Sequence, residues 1–132
     1  MAVALRQGDN MQTRPDQVAR AYLDAINARD FERARQYLAD DRFSQRSPIG
    51  TFDDADAYVA DMSRVGAILE GIECRRTFVD GDEVCLMVNF ITRMDSRLVT
   101  PVVYWMRVDG GKICSIEAFF DARGYDEMYP GD

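Results

Sequence analysis

Glu83-Val84-Cys85-Leu86-Met87-Val88-Asn89-Phe90-Ile91-Thr92-Arg93-Met94-Asp95 is the stretch on which the fold turns. Its residues alternate with a period of two, which is strand spacing. Leu86, Val88, Phe90 and Met94 fall on one face, and Met87, Asn89, Ile91, Arg93 and Asp95 on the other. The same period runs from Ile72 onward. It predicts strands at Ile72–Val79, Glu83–Asp95, Leu98–Val108 and Lys112–Asp121. Asp80-Gly81-Asp82, a bend near Ser96, and Asp109-Gly110-Gly111 join them. Neither Glu83–Asp95 nor Lys112–Asp121 has a purely polar side, so both sheet faces are expected to be covered.

Before Ile72 the spacing is helical. Thr13-Arg14-Pro15-Asp16 resembles a capping box with an early proline. Val18, Ala21, Tyr22, Ala25 and Ile26 then form one apolar stripe. Asn27 to Asp30 break that helix, and Asp30 can cap a short second one carrying Phe31, Ala34, Tyr37 and Leu38. An extended piece near Phe43 runs into the turn Ser47-Pro48-Ile49-Gly50. Asp53 or Asp54 can cap a third helix with Ala55, Tyr58, Val59, Met62 and Val65 on its buried stripe. Three helices followed by four antiparallel strands predict an α+β layer. Helices can cover only one face of its sheet. The simplest cover for the other is a second copy of the chain, so a homodimer through the outer sheet face is expected. Residues 1–12 lack periodicity and read as a loose arm, with one domain over 13–132.

Composition narrows the chemistry. At 132 residues, 47% hydrophobic and 30% charged, the chain has the make-up of an ordinary globular domain. No run approaches the ~20 apolar residues of a membrane span, and Met1–Arg6 lacks the charge order of a secretory signal. A net charge of -7 argues against nucleic acid. Cys74, Cys85 and Cys114 have neither metal nor redox spacing and read as small buried hydrophobes in a reducing compartment, so a cytoplasmic location is expected. Histidine is absent, which removes His-dependent triads, zinc sites and proton shuttles. Carboxylates, tyrosines, arginine or a thiol must carry any chemistry.

Several segments, taken in order, carry a resemblance. They are Ala21-Tyr22-Leu23-Asp24-Ala25-Ile26-Asn27-Ala28-Arg29-Asp30, Leu38-Ala39-Asp40-Asp41, Ser47-Pro48-Ile49-Gly50, Val108-Asp109-Gly110-Gly111-Lys112-Ile113 and Phe119-Phe120-Asp121-Ala122-Arg123-Gly124-Tyr125. From about Pro15 to Tyr129 the chain resembles the NTF2-like superfamily, in its SnoaL-like, limonene-epoxide-hydrolase-like and ketosteroid-isomerase-like branch. The resemblance implies a cone: helices in the concave face of a curved sheet, with a ligand cavity at the open end.

It also implies site residues. Tyr22 matches the oxyanion-binding tyrosine of the isomerases; an ordinary core tyrosine is the other reading. Arg93 and Asp95, two apart on a strand, project from one face. They resemble the Arg-x-Asp strand of the epoxide-hydrolase-like group. Asp95 would then be a base and Arg93 its orienting partner; a solvent-exposed strand-end pair is the other reading. Tyr104 falls at or beside an isomerase donor position, with Val102 and Met106 on its face. Ser47, Met87, Asn89, Ile91, Ala118 and Phe120 complete the expected lining, while Trp105 faces the other way.

Two departures stand out. The isomerase base aligns with Ser47, and the second epoxide-hydrolase aspartate aligns with Ala118. The expectation is a metal-free, cofactor-independent acid/base enzyme of cyclase, isomerase or epoxide-opening type. Its substrate would be a small apolar, polyketide-like or terpenoid-like molecule. The alternative is a non-catalytic ligand-binding or dimerisation domain.

Overall fold

A computed structural model describes residues 14–125, so the expected arm at 1–12 and the Thr13 cap lie outside the described residues. Helix α1, Pro15–Asn27, begins with Arg14 as its N-cap, whose side chain makes no cap bond. Proline in the first turn needs no N–H partner and fixes φ for the helix. Val18, Ala19, Tyr22, Leu23, Ala25 and Ile26 form the buried stripe. Arg29 then takes a left-handed φ of 60° and turns the chain. The Asn27 side chain accepts from Ile72 N–H at 3.0 Å, tying the helix end to the sheet.

Asp30 caps the short helix α2, Phe31–Gln36, by accepting from Arg33 N–H at 3.1 Å. Asp54 caps α3, Ala55–Gly66, by accepting from Asp56 N–H at 3.1 Å. Gly66 lets Phe31 lie against the end of α3. A Cβ there would sit 2.6 Å from Phe31 Cζ.

Six strands follow this plan: β1 Ser44–Ser47, β2 Gly50–Phe52, β3 Leu69–Asp80, β4 Glu83–Arg93, β5 Arg97–Asp109 and β6 Lys112–Phe119. They form one sheet in the order β2-β1-β6-β5-β4-β3. β1 runs parallel to β6 while every other pair is antiparallel. The four expected strands are all present. The hairpin β1–β2 extends the sheet, and four- and three-residue strands are too short to carry a period. Gly110 and Gly111, with φ of 61° and 80°, supply the two left-handed positions of the β5–β6 turn.

The concave face is the core. Val84, Leu86, Val88 and Phe90 of β4 join Val102, Tyr104, Met106 and Val108 of β5 beneath the helices. In β6 the expected alternation is broken. The register slips between Arg107 and Val108, so Ile113 and Ile116 both point inward and Cys114 is left half-buried. A bulge of this kind puts two residues opposite one and reverses side-chain parity beyond it.

Candidate functional site

At one end of the core the helices and sheet part, leaving a cavity of about 70 Å³. Helix α3 supplies Tyr58, Asp61, Met62 and Val65, and the β1–β2 hairpin supplies Gln45, Ser47, Ile49 and Phe52. Phe90, Val102, Tyr104 and Ala118 come from the sheet, and Phe120 follows it. The walls are mainly apolar, with a few polar groups converging on them.

Each polar group has a distinct state. Gln45 is 4% exposed, and its Oε1 is fully buried with no hydrogen-bond partner. Ser47 Oγ accepts from Ile49 N–H at 3.2 Å, which holds the hairpin turn. Asp61 pairs with Arg64 at 2.9 Å, and its side chain retains 17% exposure. Tyr22 lies behind the lining. Burial raises its phenol far above the ordinary tyrosine range; Tyr58 lowers it somewhat and Tyr104 raises it further. The contact with Tyr58 falls short of full hydrogen-bond geometry, so the Tyr22 hydroxyl is buried without a partner. Such a phenol stays neutral at physiological pH.

Ser47, Val102, Tyr104, Ala118 and Phe120 thus come together in the pocket, as the sequence suggested. Tyr22 and Met106 are buried in the core but do not line it. Met87 and Asn89 lie opposite Val103 and Pro101 on the convex face, the reverse of the expected side. Ile91 shares that parity and is buried outside the pocket. With apolar residues on both faces of β4, alternation alone could not say which face points inward.

Arg93 and Asp95 are also displaced from the expected site. β4 ends at Arg93, paired with Arg97, so Asp95 sits exposed in the bend between them rather than on the strand face. Arg93 instead bonds Glu70 on β3, which also takes Arg97 at 3.3 Å. The Arg93 guanidinium holds the Glu70 carboxyl below its ordinary range.

Eight lining residues lie outside the expected set, namely Gln45, Ile49, Phe52, Tyr58, Asp61, Met62, Val65 and Phe90, and two of them had a signal in the sequence. Asp61 stands at i+3 from Tyr58 and i−1 from Met62, a carboxylate on the buried stripe of α3. Gln45 shares strand parity with the buried Phe43. Among the described residues no cluster of three or more acidic or cysteine side chains could hold a metal.

A family model for the SnoaL-like domain matches residues 19–116. The chain belongs to the SnoaL-like domain family. Solved structures share the fold of this SnoaL-like chain. An NTF2-like protein of unknown function from Cytophaga hutchinsonii is 21% identical with a TM-score of 0.73, covering 83% of this chain and 92% of that one. A limonene-epoxide-hydrolase-like epoxide hydrolase of M. tuberculosis is 18% identical with a TM-score of 0.72, covering 86% of each chain. A protein with a ketosteroid-isomerase-like fold from Catenulispora acidiphila, solved in complex with trimethylamine, is 14% identical with a TM-score of 0.71, covering 79% of this chain and 85% of that one. None of the curated proteins matches the SnoaL-like chain. No helix among its described residues is long and apolar enough to cross a membrane.

Proposed function

We propose that this SnoaL-like domain binds a small, mostly apolar molecule in the cavity between α3, the β1–β2 hairpin and the concave sheet. The carrying observation is the lining itself: apolar walls on which Gln45, Tyr58, Asp61 and Tyr104 converge. A few placed polar groups in an apolar concavity are the mark of ligand sites. The test follows the Met62 methyl resonance while tert-butanol is titrated into the wild type and Ala118→Met. The wild-type signal should move and saturate, and the filled variant should not respond. Equal responses would place the ligand elsewhere and end this reading.

Acid–base catalysis is the second reading, and Asp61 is what favours it. A cyclisation, isomerisation or epoxide opening needs one positioned base and donors to an oxyanion. Asp61 with Tyr58 and Tyr104 supplies that set, in place of Arg93 and Asp95. Asp61→Asn should then abolish turnover of a substrate that still binds.

The convex face supports a homodimer. Trp105 and Phe119 are 47% and 48% exposed there, beside the half-buried Val103 and Met87. A second copy would remove this apolar surface from water. Trp105→Glu should turn a dimer into a monomer in sedimentation, and a wild-type monomer at micromolar concentration would refute it. The free thiols Cys74, Cys85 and Cys114 suit a reducing, cytoplasmic setting.

A further inference from the structure

We infer that the pocket's ligand is a small alkylammonium ion, held by the Asp61 carboxylate, the Gln45 amide and a wall of aromatic rings. The inference rests on the binding reading above and names its ligand class.

Charge comes first. Among the described residues that line the cavity, Asp61 is the one carboxylic acid and none is a lysine or arginine. Arg64, which pairs with Asp61, is 49% exposed and lies outside the lining. An anionic ligand would therefore meet a carboxylate on the pocket wall, with that carboxylate's arginine partner set outside the lining. The chain's net charge of -7 adds to that bias.

Five aromatic side chains line the same cavity: Phe52, Tyr58, Phe90, Tyr104 and Phe120. Phe52 and Tyr58 meet at 5.7 Å between centroids with their planes tilted by 52°, forming a corner rather than a stack. The negative faces of aromatic rings attract an alkylated cation, whose methyl groups also fit apolar walls. A neutral alkane would gain only the second of these.

Gln45 is the independent sign of a ligand. Its amide is buried, it lines the cavity, and its Oε1 has no partner. An ammonium N–H supplies the missing donor. Size agrees: about 70 Å³ holds roughly five water-sized groups, which suits a compact branched amine.

Three molecules of one shape separate charge from shape: tert-butylammonium, tert-butanol and pivalate. Each is titrated into the full-length protein at pH 7 with the Met62 methyl as reporter. The ammonium should bind at least about tenfold tighter than the alcohol, as a carboxylate and cation–π contacts together allow, and pivalate should cause no shift. Asp61→Asn should bring ammonium affinity to within about twofold of the alcohol's. Phe52→Leu should weaken the ammonium about threefold and leave the alcohol nearly unchanged. If Asp61→Asn fails to fold, the wild-type series and Phe52→Leu still decide. The alcohol or pivalate binding as tightly as the ammonium would overturn the ligand class while leaving the pocket reading intact. No response to any of the three would overturn both.

Discussion

Gln45→Leu should make the protein more stable while impairing its pocket. Gln45 sits on β1 opposite Phe52 and Ile116, with 4% of its surface exposed. Its Oε1 is buried without a partner. Folding therefore strips water from an amide oxygen and returns nothing for it. A buried, unsatisfied polar atom costs about 1–3 kcal/mol, and leucine has similar volume with no polar atom to desolvate. Each kcal/mol moves the Tm of a domain this size by about 3–5 °C. The expected rise is thus about 3–10 °C, read by circular dichroism at pH 7 in the absence of ligand. Gln45→Met, closer in shape, should rise as well. The same variants should bind the pocket's ligand more weakly, because the acceptor is gone. An unchanged or lower Tm in both variants would refute the claim that this amide lacks a partner.

Other outcomes follow from the same geometry. Asp95→Asn and Arg93→Gln should leave ligand binding unchanged and shift stability by less than about 0.5 kcal/mol in urea unfolding, since both groups are exposed. Gly66→Ala gains about 1 kcal/mol in helix propensity but drives a methyl into Phe31. The net effect should be a loss of about 1–2 kcal/mol in urea unfolding, which Phe31→Leu partly relieves. Tyr22 ionises near pH 10.0 when unfolded and far higher when buried. Its contribution to stability is therefore complete below pH 10 and is lost as pH rises beyond it. Tyr22→Phe should make Tm fall less steeply between about pH 10 and 12 in thermal melts.

The fold was legible because periodicity survives in long elements. Val18, Tyr22 and Ile26 mark α1, and Val84 to Phe90 mark β4, over stretches long enough for a period to stand out. β1 and β2 were not legible as strands: four and three residues contain no more than two alternations. Parity failed wherever the local count changed. The bulge at Cys114 reversed the start of β6, and the end of β4 at Arg93 left Asp95 in a turn instead of on a face. Neither event has a glycine or proline to announce it. The site residues inferred by resemblance inherit those errors. Ser47 and Ala118 line the cavity, whereas Asn89 and Asp95 do not.

A better guide to the site was present in the helix stripes. Folding punishes a charge or an unpartnered amide on a buried face, so such residues persist there against the interest of stability. Asp61 breaks the stripe formed by Tyr58, Met62 and Val65, and Gln45 breaks the apolar parity begun by Phe43. Both breaches open on one cavity, and the unpartnered Tyr22 hydroxyl lies close behind it. The third buried, unpartnered side-chain atom among the described residues, Thr92 Oγ1, stands apart near the end of β4. Its threonine is bordered by Leu69 and Leu98 and does not line the cavity. Polarity that gathers around a cavity has a different meaning from polarity that occurs alone. Gathered around apolar walls and aromatic rings, such polarity is the pattern of a ligand site.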